Sequence, residues 1–128
     1  MGGSVRVLFV DDQESVCDLI NIFCTSLGME FSVARDAREA LDFITKERFA
    51  LLVTDLEMPE MDGVALARKV REQQPDIGIF AFTGGSAAYS LRDLENTFDK
   101  VFFKPSDYSR MIANAMMYLA QKKYPFLK

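Results

Sequence analysis

The feature that most constrains this chain is an alternation, repeated five times, between a short apolar run and a longer segment with apolar residues at helical spacing. Residues 5–10, 31–34, 50–54, 77–82 and 101–103 are rich in Val, Ile, Leu and Phe and read as strands. Several are apolar on successive residues, as strands buried on both faces are. Between them, Val16, Leu19, Ile20, Phe23 and Leu27 follow the i, i+3, i+4, i+7 spacing of a buried helical stripe. Ala37, Ala40, Leu41 and Ile44 repeat it, as do Gly63, Leu66, Ala67 and Val70, and then Ile112, Ala115, Met116 and Leu119. Asp36 with Glu39 has the form of a capping pair, and Gly28 that of a helix stop. The fourth helix, expected at about 86–97, has only Leu91, Leu94 and Phe98 in register. Strands that alternate with helices pair in parallel through right-handed crossovers, which places helices on both faces of one sheet.

At 128 residues the chain is one domain, long enough to bury roughly two-thirds of its unfolded surface without disulfide or structural metal. Residues 1–4 read as a flexible leader, 5–124 as the domain and 125–128 as a C-terminal tail. No apolar stretch approaches the ~20 residues of a spanning helix, and the N-terminus lacks a basic-then-apolar signal pattern, so the expected location is cytoplasmic. The chain has no histidine, which excludes histidine triads, histidine bases and histidine-containing zinc sites. Cys17 and Cys24 lie two helical turns apart and read as reduced packing residues. A net charge of −4 argues against direct nucleic-acid binding.

In parallel α/β folds the functional crevice lies beyond the carboxyl ends of the strands. Asp11 and Asp12 follow the first strand, Asp55 the third, Thr83 the fourth, and Lys104 with Pro105 the fifth. Singly, each has a structural explanation: Asp11 or Asp12 as a helix cap, Thr83 as a turn residue, Lys104 as a solvated charge. Together they do not, because three clustered carboxylates repel unless a cation or proton sits among them. Oxygen donors without His or Cys suit a hard cation, and Mg²⁺ accepts few carboxylates plus waters and a phosphate.

Asp11-Asp12, the segment from Asp55 through Leu56-Glu57-Met58-Pro59 to Asp62-Gly63, Thr83-Gly84 and Lys104-Pro105 resemble the receiver domain of bacterial two-component response regulators, in order and spacing over nearly the whole chain. The resemblance implies a flavodoxin-like, doubly wound, five-stranded parallel sheet of order 2-1-3-4-5 with five helices. It also implies a phosphoryl switch: Asp55 accepts a phosphoryl group from a histidine kinase or phosphotransfer protein. Mg²⁺ is then held by Asp12, Asp55 and the Glu57 backbone carbonyl, with Asp11 acting directly or through water. Lys104 and Thr83 contact the phosphoryl oxygens, and the outer surface of the fourth helix, fifth strand and fifth helix signals to a partner or output domain. Lys104-Pro105 resembles the family's cis-proline turn.

The sequence departs from that pattern at Val101, where most of the family has an aromatic residue. Phe102 is adjacent but alternation directs it to the other face of the sheet. The switch is therefore expected to work without the usual coupling, or with a weak form of it. Glu57 is expected to project near the site, and Gly84-Gly85 to leave the approach to Asp55 open. Tyr108, Met111, Ala115 and Tyr118 form a second stripe on the last helix and are read as a partner-facing surface; Lys122 and Lys123 complement its dipole. A flavin-phosphate binder is disfavoured by the acidic pair after the first strand. A haloacid-dehalogenase-like phosphatase is disfavoured because Gln13 stands where a general acid is needed. A receiver-like scaffold that acts by protein–protein interaction without phosphorylation is the remaining alternative.

Overall fold

The computed structural model describes residues 5–85 and 88–126. Its elements run β1 (Val7–Val10), α1 (Glu14–Ser26), β2 (Phe31–Ala34), α2 (Ala37–Lys46), β3 (Leu51–Thr54), α3 (Gly63–Gln73), β4 (Gly78–Thr83), α4 (Leu91–Thr97), β5 (Lys100–Phe103) and α5 (Tyr108–Lys123). All strand pairs are parallel, in the order β2-β1-β3-β4-β5. This is the expected sheet. β1, β3 and β4 are buried at every position, which is why their sequences are continuously apolar.

Strand alternation divides the core into two layers. Leu8, Val10, Leu52, Ile79 and Ala81 face α2, α3 and α4, whereas Val7, Phe9, Leu51, Val53, Phe80 and Phe82 face α1 and α5. Val101 packs in the first layer and Phe102 in the second, edge-on to Phe80. The two residues point to opposite faces, as alternation requires.

Helix ends follow local chemistry. Asp36 accepts from the Glu39 amide and Asp62 from the Ala65 amide. Gly28, at φ 69°, stops α1, with the amides of Gly28 and Met29 bonded back to Thr25 and Cys24.

Several expectations are corrected. The buried stripe of α1 is Cys17, Ile20 and Cys24, while Leu19, Phe23 and Leu27 are exposed; the small cysteines take the sheet-facing positions. Both are free and buried, and burial raises the Cys24 thiol to about 11. Neither Asp11 nor Asp12 caps α1, whose N-cap is Gln13 with no side-chain bond. Met116 is exposed. Met111 and Ala115 are fully buried, and the Tyr118 ring covers Gly78 and meets Phe80 edge-on, so that stripe of α5 faces the core and not a partner. α4 begins five residues later than expected, at Leu91, because Ser90 and Asp93 form a reciprocal capping box there. Leu91 is exposed, leaving Leu94 and Phe98 as the buried pair. Residues 86 and 87, assigned to this helix from the sequence, lie outside the described residues, as do residues 1–4 of the leader and the end of the tail.

Candidate functional site

Backbone bonds carry the sheet one residue past its strand ends and fix the site there. The Asp11 amide donates to Ala34, the Asp55 amide to Val10 and the Lys104 amide to Thr83, at 2.8–3.1 Å. Each side chain that follows a strand is thus held on the same rim. Ligand oxygens of Asp11, Asp12 and Asp55 all lie within 4.8 Å of one another. Asp11 and Asp55 are buried, whereas Asp12 is exposed.

The Lys104 ammonium closes the cluster. It donates to Asp11 Oδ2 at 2.6 Å, Gln13 Oε1 at 3.2 Å and Asp55 Oδ2 at 3.3 Å. These three bonds use all three of its N–H groups. The peptide bond from Lys104 to Pro105 is cis. Asp55 Oδ1 accepts from the Leu56 amide at 2.8 Å, which leaves Oδ2 toward the ammonium and the opening. Burial raises the Asp55 carboxyl above its ordinary value; Lys104 lowers it, Asp11 raises it further, and the net displacement is upward.

The connection after Asp55 is shaped by Gly63. A Cβ there would lie 2.1 Å from the Asp55 carbonyl oxygen, so only glycine lets α3 begin against this strand end. The chain turns through Glu60, at φ 71°, and returns so that the Gly63 amide donates to Leu56 at 2.8 Å.

Asp12, Gln13, Asp55, Glu57, Thr83, Gly84, Gly85 and Lys104 line one opening. The predicted residues are therefore together: Asp11 and Asp55 in direct contact with Lys104, Asp12 beside them, and Thr83 and Glu57 on the wall. Thr83 is buried, and its hydroxyl oxygen accepts from the Gly85 amide at 3.1 Å. Three carboxylates with one ammonium leave an excess of negative charge, and every donor is a hard oxygen. That chemistry fits Mg²⁺ and does not fit a thiophilic metal.

Three contributors escaped the sequence reading. Gln13 shares the Lys104 ammonium. Cys17 donates its thiol to the Asp11 carbonyl at 3.2 Å, supporting the rim from beneath. Tyr89 donates its hydroxyl to Asp62, the cap of α3, and so joins the connection after β4 to the one after β3. Position relative to the strand ends was the only available signal for Gln13; no local pattern pairs Tyr89 with a residue 27 positions away.

Comparison with known proteins points the same way. The response regulator receiver domain profile matches residues 7–116. The response regulator MprA of Mycobacterium bovis (strain BCG / Pasteur 1173P2) is 31% identical over 121 residues, which span 94% of this chain and 53% of that protein. The chain thus spans about half the length of this curated relative. A CheY-like receiver domain protein from Methanospirillum hungatei JF-1 superposes with a TM-score of 0.81 at 26% identity, covering 94% of this chain and 98% of that one. The response regulator protein TrrA of Thermotoga maritima, solved in complex with Mg²⁺-BeF, shares the fold with a TM-score of 0.78 at 23% identity, over 89% and 98% of the two chains.

Proposed function

Because the chain belongs to the response regulator receiver domain family, we propose that it is the phosphoacceptor module of a two-component or phosphorelay pathway, with Asp55 as the acceptor. As a receiver it is a signalling domain and not a classical enzyme; its chemistry is its own phosphorylation and dephosphorylation. The observation that carries the reading is the Asp55 carboxylate itself. It is buried, oriented by the Leu56 amide, and set between an ammonium and two further carboxylates.

Asp55 Oδ2 attacks the phosphorus of a phosphohistidine on a sensor kinase or phosphotransfer protein. The new O–P bond replaces the P–N bond, histidine leaves with its electron pair, and the product is an acyl phosphate. Asp11, Asp12 and Asp55, with the Glu57 backbone carbonyl, would hold Mg²⁺, which when bound supplies positive charge opposite the phosphoryl oxygens. Lys104 supplies the second positive charge. As the Asp55 carboxylate loses its negative charge on phosphorylation, the N–H that pointed to Oδ2 becomes available to a phosphoryl oxygen. The Thr83 hydroxyl, already accepting from Gly85, retains its proton to donate to another.

The resulting change is passed to an output domain or downstream protein, in the cytoplasm and without direct contact to nucleic acid or membrane. Among the described residues no helix is long and apolar enough to cross a membrane. Val101 favours one other reading, a receiver-like scaffold that never takes phosphate. Incubation with Mg²⁺ and acetyl phosphate, followed by intact mass, separates the two. The phosphoacceptor reading predicts one phosphoryl group on the parent and none on Asp55→Asn; no adduct on either would favour the scaffold.

A further inference from the structure

α4 is lightly anchored by apolar contact. Of its seven residues only Leu94 is buried. Polar contacts hold both of its ends to α3. At the C-terminal end, Arg71 donates to the Thr97 carbonyl at 3.1 Å and pairs with Asp99 at 3.3 Å. At the N-terminal end, Tyr89, the residue before the Ser90 cap, donates its hydroxyl to Asp62. The Tyr89 ring joins the apolar cluster that contains Leu94, the N′ and N4 positions of a hydrophobic staple. Burial opposes charge on Asp62, but bonds from Tyr89 and from the Ala65 and Val64 amides hold its carboxyl below the ordinary value. The hydroxyl therefore meets an ionised acceptor, the stronger class of hydrogen bond.

Each partner sits on a connection that lines the pocket. Asp62 ends the connection that begins at Asp55, and Tyr89 lies on the one that follows Thr83. Thr83 is itself tied to that second connection through Gly85. On β5, Val101 faces this layer and Phe102 faces away, while Phe103, on the same side of the strand as Val101, is exposed at its end. Of the aromatic side chains packed on this layer among the described residues, Tyr89 is the one carried by a pocket-lining connection.

We infer that the Tyr89–Asp62 hydrogen bond restrains α4 in its resting position, and that Tyr89 is the positioning residue through which occupancy of the Asp55 pocket reaches that helix. The inference rests on the phosphoacceptor reading. Drawing the Thr83 hydroxyl toward a group on Asp55 moves the connection that carries Tyr89 and works against this bond.

The variant Tyr89→Phe keeps the ring and its packing and deletes one hydroxyl. Parent and variant are titrated with Mg²⁺ alone, then with beryllium fluoride in the presence of Mg²⁺, following backbone amides by NMR. A restraint on the resting state predicts unchanged Mg²⁺ affinity and beryllofluoride binding about threefold to tenfold tighter in the variant, the scale of one net hydrogen bond. It also predicts α4 amide resonances in the unloaded variant shifted toward their loaded positions. Asp62→Asn, which keeps a capping side chain and removes the charge, moves the affinity in the same direction by less. Unchanged or weaker beryllofluoride binding in Tyr89→Phe, with normal binding by the parent, overturns the inference alone. A parent that binds no beryllofluoride overturns the phosphoacceptor reading as well.

Discussion

Asp55 carries a charge that its surroundings disfavour. Burial raises its carboxyl, and the Lys104 ammonium at 3.3 Å offsets this only in part. The folded state therefore binds a proton at higher pH than the unfolded chain does, and stability from this residue is lost as pH rises through its folded-state value. Asp55→Asn keeps an oxygen for the Leu56 amide and removes the charge. In magnesium-free buffer at pH 7 the variant is expected to melt above the parent. The gap should narrow as pH falls through the raised folded-state value and close well below the ordinary carboxylate value of 3.8, where the aspartate is protonated in both states. Thermal melts across that range check it; a parent that is the more stable at pH 7 would contradict the assignment of burial as the dominant effect. Asp11, Asp55 and Lys104 were legible at this scale because each directly follows a strand, and Thr83 because it ends one. Gln13 and Cys17 were not, because glutamine and cysteine have no preferred role and only the folded geometry brings them to Lys104 and the Asp11 carbonyl.

The elements differ in how clearly the sequence announced them. The central strands were legible because two-sided burial demands unbroken apolar runs, and β3 shows it at every position. α1 was harder. It carries two interleaved stripes, and the more apolar one is partly exposed, with Phe23 stacked edge-on against Tyr108 at 5.5 Å while the cysteines face the sheet. The second stripe of α5 misled for the converse reason, since Tyr108 and Tyr118 carry polar tips but pack against the core. α4 was misplaced because its start is set by the Ser90–Asp93 box and not by periodicity. Ser90→Ala should cost about 1 kcal/mol of helix stability. Measured by hydrogen exchange, that is roughly a fivefold faster opening of α4, with the amides of β1 and β3 little affected. Equal acceleration throughout the domain would show that α4 unfolds only with the whole.

At the scale of the molecule, four crossovers between five parallel strands bring residues from positions 11 to 104 onto one rim, and backbone bonds past the strand ends hold them there. The two faces of the sheet divide the work: the layer beneath α1 and α5 takes Phe102, and the layer beneath α3 and α4 takes Val101. The Tyr89–Asp62 contact lies on that second side of the sheet, between the connection after β3 and the one that leads into α4. Sequence order alone predicted the rim, since a parallel sheet collects whatever follows its strands. It did not predict the link between the two connections, which depends on how long loops settle against each other. On this rim Asp55 is the proposed acceptor of the phosphoryl group. The most direct test of that role is reduction of the phosphorylated protein with borohydride, which converts an aspartyl phosphate to homoserine, followed by peptide mapping. Homoserine is expected at position 55, dependent on Mg²⁺ and phosphodonor; homoserine at position 11 or 12, or at none of the three, would contradict that assignment.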